Sequence, residues 1–150
     1  MALQTPLAPG QFYAKQWAIY SALGVREIKL EAWRLSITGL VEKELGLSFE
    51  ELQGLPQAKF IRDFHCVTAW SMKGVSWEGM AFRDLAKFAR VRPEARWVMF
   101  HCADGYTAPV PLEDAMVEDS LIAFKMNGKP IPIEQGFPAR PFIPPLYAWK

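Results

Sequence analysis

Proline constrains this chain more than any other residue. Twelve prolines are spread through 150 residues, and the last fifteen, "GFPARPFIPPLYAWK", hold four of them. A proline has no amide N–H and clashes with the preceding turn of a helix, so this density excludes long helices and favours strands, turns and irregular loops. Within that limit the chain can still build a core. Its length suits one domain, residues 1–150, and 51% of its residues are apolar, enough to bury a sizeable interior. The net charge of +1 supplies no electrostatic reason to bind nucleic acid or an anionic membrane. No apolar run approaches the length of a membrane span. The N-terminal "MALQTPLAPGQF" lacks a basic start followed by an apolar stretch, so no export signal is expected. Two cysteines are too few for a disulfide framework and suit a reducing compartment, with the cytoplasm as the expected location.

Local patterns predict an α+β, β-rich mixed domain with two or three short helices. "WRLSITG" alternates Trp33, Leu35 and Ile37 with polar residues and reads as a half-buried strand ending at Gly39. In "SFEELQG" the spacing of Ser48 and Glu51 is that of a capping box, with Gly54 past the end, so a short helix is expected. "AKFIRDFHCV" reads as a strand running into a loop, and "TAWSMKGVSWEG", with two tryptophans and two glycines, reads as that loop. "MAFRDLAKFARV" sets Phe82, Leu85, Ala86 and Phe88 at helical spacing, with Pro93 closing the helix. "RWVMFHC" reads as an apolar strand containing Cys102, and "ADGY" as a turn. "LIAFKMNGKPIPI" is a hairpin built on Asn127-Gly128. The proline-broken end is expected to be extended.

The chemistry concentrates in two copies of Phe-His-Cys, at residues 64–66 and 100–102, which hold every histidine and cysteine of the chain. Structural zinc takes paired ligands separated by two to four residues. Here each histidine adjoins its cysteine, and neighbours on a strand point to opposite faces, so neither pair closes easily on one metal. A Cys66–Cys102 disulfide requires neighbouring strands and an oxidising compartment. The bland reading is two small buried thiols. The surroundings separate the copies: Cys66 sits where a strand becomes a loop rich in glycine and tryptophan. A functional thiolate needs a cavity and nearby positive charge, which strand-end loops provide better than strand interiors. A single thiolate is also a soft ligand, able to hold a metal whose other ligands come from a cofactor.

At this point the surroundings resemble a family. "CVTAWSM" and the tryptophan of "SWEG" are similar to the molybdenum-binding loop of the sulfite oxidase superfamily, above all its bacterial protein-methionine-sulfoxide reductase branch. "DGYTAPVPL" and "LIAFKMNGKPIPIEQGFPAR" resemble segments of sulfite oxidase itself, and "QFYAKQW" resembles the first cofactor-contacting segment. The four motifs run in the family's order from about residue 10 to the end. The resemblance implies a molybdopterin-binding fold, with a dithiolene supplying two sulfurs to molybdenum and Cys66 a third. Arg140 falls on the family's cofactor-binding arginine, and a guanidinium suits an oxyanion. Gln135 falls where relatives use a histidine or asparagine on the cofactor. Tyr13, Lys15, Gln16 and Trp17 fall on the first contact segment, with Lys15 where sulfite oxidase has an anion-binding arginine. Tyr106 falls on that enzyme's active-site tyrosine, whose hydroxyl can donate to an oxyanion. Cys102 lies near a cofactor-contacting threonine, and His65 beside the metal ligand. The implied catalytic set is Cys66, Tyr106 and Lys15. Each has a bland counterpart: Tyr106 as a turn residue covering the core, Arg140 as a solvated charge, Lys15 as a mobile cation.

Three departures matter. Ser71 stands where sulfite oxidase has a second arginine, so with Lys15 in place of the other the anion pocket is less positive and a neutral sulfoxide or N-oxide suits it better than sulfite. No twin-arginine signal of the reductase branch is present. The chain stops at "LYAWK", before the family's phosphate-binding lysine, and Lys150 is not expected to replace it at a mobile end. Two function classes follow. One is a molybdenum-dependent oxidoreductase moving an oxygen atom and two electrons on a small-molecule substrate. Lacking haem or iron–sulfur spacing, it needs a separate electron-transfer partner or small redox carrier. The other is a catalytically silent binding or assembly module that keeps the fold, and zinc binding is a distant third.

Overall fold

The computed structural model describes residues 7–19 and 27–148. Ten strands and three short helices succeed one another: β1 (Phe12–Tyr13), β2 (Arg34–Ile37), β3 (Leu45–Ser48), α1 (Phe49–Gln53), β4 (Ala58–His65), β5 (Trp70–Ala81), α2 (Phe82–Ala89), β6 (Trp97–His101), β7 (Thr107–Pro111), α3 (Leu112–Ala115), β8 (Leu121–Met126), β9 (Lys129–Pro130) and β10 (Arg140–Phe142). The β-rich α+β expectation holds, and the longest helix has eight residues, as the prolines require.

Strand β5 is the hub. Antiparallel β4 pairs with one edge, and its other edge carries parallel β1 at Trp70 and Ser71 and antiparallel β8 from Trp77 to Ala81. Beyond β8 lies β10, and β9 returns on β8 through the expected Asn127-Gly128 turn. Both turn residues have positive φ, 52° and 76°, the type I′ geometry whose twist matches the strands. The stretch 68–79 is thus a correction: it is mostly a central strand, not a loop. Its two glycines are not turn residues. Gly74, at φ 62°, forms with Lys73 a bulge opposite Asp63, where the β4–β5 register shifts. Gly79 sits where β8 comes closest: an added Cβ would run into the Ile122 carbonyl and lie 2.7 Å from Ala123 Cα.

The bulges also distribute the core. Strand side chains alternate between faces, and an extra residue reverses the alternation. Trp70 therefore shares a cluster with Val75 and Trp77 across the Lys73–Gly74 bulge. A second register shift, at Phe124 of β8, brings Met126 to the same cluster as Leu121 and Ala123. The opposite face of the sheet buries Met80, Ile122 and Phe124 against Leu52 of α1 and Leu85 of α2. With both faces covered, β8 reads as a near-continuous apolar run.

Helix α1 begins as predicted: Glu51 N–H donates to Ser48 Oγ at 3.0 Å, and Ser48 N–H donates to the Glu51 carboxylate at 2.8 Å, closing a capping box. Helix α2 ends at Arg90, left-handed at φ 52°, before Pro93 is reached. The turn is closed locally, by Val91 N–H to the Ala86 carbonyl and Arg90 N–H to the Lys87 carbonyl, while Lys43 N–H and Glu42 N–H take the Ala89 and Arg90 carbonyls. The buried face of α2 is Leu85, Ala86 and Ala89, and Phe88 is exposed. Strand β6 pairs only with β7, in a separate ribbon. Trp97 and Met99 on it are 65% and 49% exposed, so one face of this apolar strand is uncovered by the rest of the domain. Cys102 lies past its end, where its N–H donates to the Tyr106 carbonyl across the "ADGY" turn.

Gly79→Ala is expected to lower the unfolding free energy by about 3 kcal/mol, since backbone atoms of β8 occupy the space. Ser48→Ala should lower it by about 1 kcal/mol through loss of the cap. Urea denaturation with an unchanged m-value checks both.

Candidate functional site

Cys66 opens the tight turn that joins β4 to β5. Its N–H donates to the Trp70 carbonyl at 2.9 Å, and Ala69 N–H donates back to the Cys66 carbonyl at 3.2 Å, with Ala69 at φ 77°. The backbone is therefore fixed on both sides of the sulfur. The thiol lies 3.1 Å from Thr68 Oγ1, and the residue is 6% exposed within the cluster of Phe64, Trp70 and Trp77. Ala148 bridges to Cys66 as a parallel neighbour, held by Val67 N–H to the Ala148 carbonyl and Ala148 N–H to the His65 carbonyl, at 2.9 and 2.8 Å. No disulfide joins Cys66 and Cys102. Among the described residues no three His, Cys, Asp or Glu side chains gather around a metal position.

Arg140 opens β10 opposite Ala123. Its guanidinium lies over the rings of Phe64 and Trp77, at 5.5 and 5.7 Å from their centroids, where ring quadrupoles attract a cation. Its Nη1 donates to the Gln135 carbonyl at 3.0 Å. Burial pulls the Arg140 pKa down from the usual arginine range to about 10, against which ionised Cys102 and Cys66 would act in the opposite sense. Arg140 is thus a partly buried guanidinium and not a solvated surface charge. Desolvation makes such a cation a strong partner for any anion that reaches it.

A groove of about 80 Å³ opens beside these groups, lined by Phe64, His65, Phe100, Arg140 and Tyr147 among others. His65 Nδ1 is 2.8 Å from Ser71 Oγ, and the Tyr147 ring stands edge-on to the imidazole at 6.3 Å. Ser71, the position that departs from sulfite oxidase, is fully buried. Two indole N–H groups, Trp70 Nε1 and Trp77 Nε1, are buried without a hydrogen-bond partner.

The first contact segment divides. Trp17 packs into the aromatic cluster, 4.9 Å from Phe64 and 5.8 Å from Trp70 between ring centroids. The Tyr13 hydroxyl donates to Asp63 at 2.6 Å. That hydrogen bond, then burial and the Asp63 charge, raise the Tyr13 pKa. Asp63 also accepts from Gly74 N–H at 2.8 Å, so Tyr13 is tied to the β5 bulge. Lys15 and Gln16 are exposed. Tyr106 is half-buried, its N–H held by Asp104 Oδ1 at 3.0 Å. Gln135 enters through its carbonyl, on Arg140. Lys150 lies outside the described residues. Sequence reasoning missed Gln11 and Tyr147, and took Ser71 only as the loss of an arginine. The clue to Ser71 was its place two residues before an interior strand bulge, legible only once β5 is known to be a strand.

Comparison with known proteins now bears on this arrangement. Residues 22–150 match the oxidoreductase molybdopterin binding domain. The oxidoreductase YuiH of Bacillus subtilis is 42% identical over 79% of this chain and 60% of its own length. The protein-methionine-sulfoxide reductase catalytic subunit MsrP of Campylobacter jejuni is 30% identical over 79% of this chain and 45% of its own length. The chain therefore spans about half the length of the curated relatives it matches. Its fold is that of the crystal structure of the sulfane dehydrogenase SoxCD from Paracoccus pantotrophus, with a TM-score of 0.71 at 24% identity over 86% of this chain and 40% of that one. On a family match that covers most of its length and relatives of this similarity, the chain belongs to the oxidoreductase molybdopterin-binding domain family, as its motifs led us to expect.

Proposed function

We propose that this domain is the catalytic part of a molybdopterin-dependent oxidoreductase that transfers an oxygen atom and two electrons, acting on a small sulfoxide, N-oxide or sulfite-like substrate. The observation that carries this reading is the guanidinium of Arg140, held over the rings of Phe64 and Trp77 and lining the groove, with Cys66 in the same aromatic cluster. The donor set suits the cofactor in kind. A soft sulfur on a rigid turn fits a soft metal, a desolvated guanidinium fits a phosphate or oxyanion, and the unpartnered indole N–H groups of Trp70 and Trp77 are further donors. When bound, the molybdenum cofactor supplies a metal that changes oxidation state by two and exchanges an oxo group.

The chain's own residues then have distinct tasks. Cys66 ligates the metal. Arg140, Gln135, Cys102, His65 and the segment Tyr13, Gln16 and Trp17 hold the organic part. Tyr106 donates from its hydroxyl to oxygen in transit, and Lys15 adds positive charge for an anionic substrate. The YuiH and MsrP likenesses support the oxidoreductase class, and MsrP, named for methionine sulfoxide, supports a neutral oxide as substrate. Reduction of a sulfoxide consumes two electrons and two protons and releases water. A separate electron-transfer protein or redox carrier provides those electrons.

A second reading has its own observation. Cys66 is only 6% exposed, and it is not among the residues that line the groove, although its neighbour His65 is. A catalytically silent assembly module with the same fold accounts for that closure. The two readings separate on metal content. Protein produced in a host that makes the cofactor is expected to carry molybdenum near one per chain, and Cys66→Ser to reduce it at least tenfold, roughly as for loss of a ligand. Wild-type protein without molybdenum or pterin fluorescence would favour the silent module. Arg140→Met should lower cofactor content while Cys66 remains. Tyr106→Phe is expected to reduce kcat about 100-fold with KM and Tm little changed; an unaltered kcat returns Tyr106 to a packing role.

A further inference from the structure

A buried relay runs behind the groove. The Ser71 hydroxyl, fully buried, meets His65 Nδ1 at 2.8 Å and Gln11 Oε1 at 2.9 Å. The orientation of the Gln11 amide follows from its other end. There it lies 3.2 Å from the Cys66 carbonyl, an acceptor only, so the amide nitrogen must face Cys66 and the amide oxygen must face Ser71. Two oxygens at 2.9 Å need a proton between them, and the amide oxygen has none, so the single hydroxyl proton of Ser71 goes to Gln11. Ser71 then has only lone pairs left for His65, and the proton of that contact sits on Nδ1. In a neutral imidazole this leaves Nε2 as an acceptor. The Nδ1 edge is tied to buried Ser71, while the ring lines the groove with Tyr147 standing edge-on against it.

We propose that the Gln11–Ser71–His65 relay locks His65 in the Nδ1–H tautomer, so that Nε2 offers the groove a hydrogen-bond acceptor that selects a bound molecule carrying an N–H or O–H group. This rests on the groove being the ligand's place in the function proposed above. The neighbouring groups of the groove argue for its usefulness: Arg140 offers only donors, the Asp63 carboxylate already accepts from Gly74 N–H and the Tyr13 hydroxyl, and Phe64, Phe100 and Tyr147 present rings. His65 supplies an acceptor among them. The matching donor belongs either to the organic cofactor or to the substrate.

The tautomer is tested first, on the protein without any ligand. The chain has two histidines, so long-range nitrogen–proton correlation of histidine-labelled protein, with His101→Gln for assignment, resolves His65. At about pH 8, where an ordinary imidazole is neutral, its Nδ1 should resonate as the protonated nitrogen and Nε2 as the bare one. Ser71→Ala should release the proton to Nε2. A wild-type spectrum with the proton on Nε2, or a Ser71→Ala spectrum identical to wild type, overturns the relay. The acceptor role is read on molybdenum-loaded protein with two probes, an N-acetylated methionine sulfoxide amide, which carries N–H donors, and dimethyl sulfoxide, which carries none. His65→Leu should shift the ratio of their KM values about tenfold against the amide, the size of one lost hydrogen bond, and His65→Gln should restore part of it. A fall in molybdenum content in His65→Leu, with the ratio unmoved, assigns the donor to the cofactor instead. An unmoved ratio with full molybdenum overturns the acceptor role. Absence of turnover with either sulfoxide in the wild type counts against the proposed function, while the spectra still decide the relay.

Discussion

One carboxylate decides how the central strand is read by its surroundings. Asp63 accepts the N–H of Gly74 and the hydroxyl of Tyr13, and so closes the bulge in β5. That extra residue reverses the inside–outside alternation of the strand. Without it, Trp70 and Trp77 would lie on opposite faces and the aromatic cluster beside Cys66 would lose one of its walls. The same bulge anchors β1, which carries the chain on to Trp17 and into that cluster. Sheet topology and site geometry therefore share a single polar contact.

The aromatic cluster is built around a charge. Trp77 stacks on Phe142 at 4.5 Å and, with Phe64, presents ring faces to Arg140. Burying a guanidinium is unfavourable, as its lowered pKa records, and ring faces offset only part of that penalty. Cores that need only stability seldom bury a charge in this way, and charges in low dielectric interact strongly with what reaches them. The physical tension at Arg140 thus falls on a residue that the proposed function assigns to holding the cofactor.

Much of the local structure was legible. The Ser48–Glu51 capping box, the Asn127-Gly128 turn and the strand at Trp33–Ile37 follow from short-range chemistry, and each appears where its residues lie. The misreadings share a cause. The stretch 68–79 looked like a loop because its two glycines signal turns locally, yet Gly79 is there to admit β8, a contact more than forty residues away in sequence. Cys102 looked like part of strand β6 because its neighbours are apolar, but the strand ends at His101 and Cys102 N–H donates to the Tyr106 carbonyl across the turn that leads into β7. Helix α2 stops before Pro93 because Arg90 turns left-handed and Val91 N–H and Arg90 N–H close its last turn.

The site divides in the same way. The sequence by itself determined which chemical groups were available: a cysteine at a strand end, an arginine in "GFPAR", a tyrosine after Asp-Gly, all in an order specific enough to name the family. These depend on residue identity and spacing along the chain. Only the tertiary structure decided that Arg140 lies over Phe64 and Trp77, that Tyr13 is spent on Asp63, and that Ser71 joins Gln11 to His65. Those depend on which strands meet and in what register, and a one-residue bulge is enough to send every side chain beyond it to the other face.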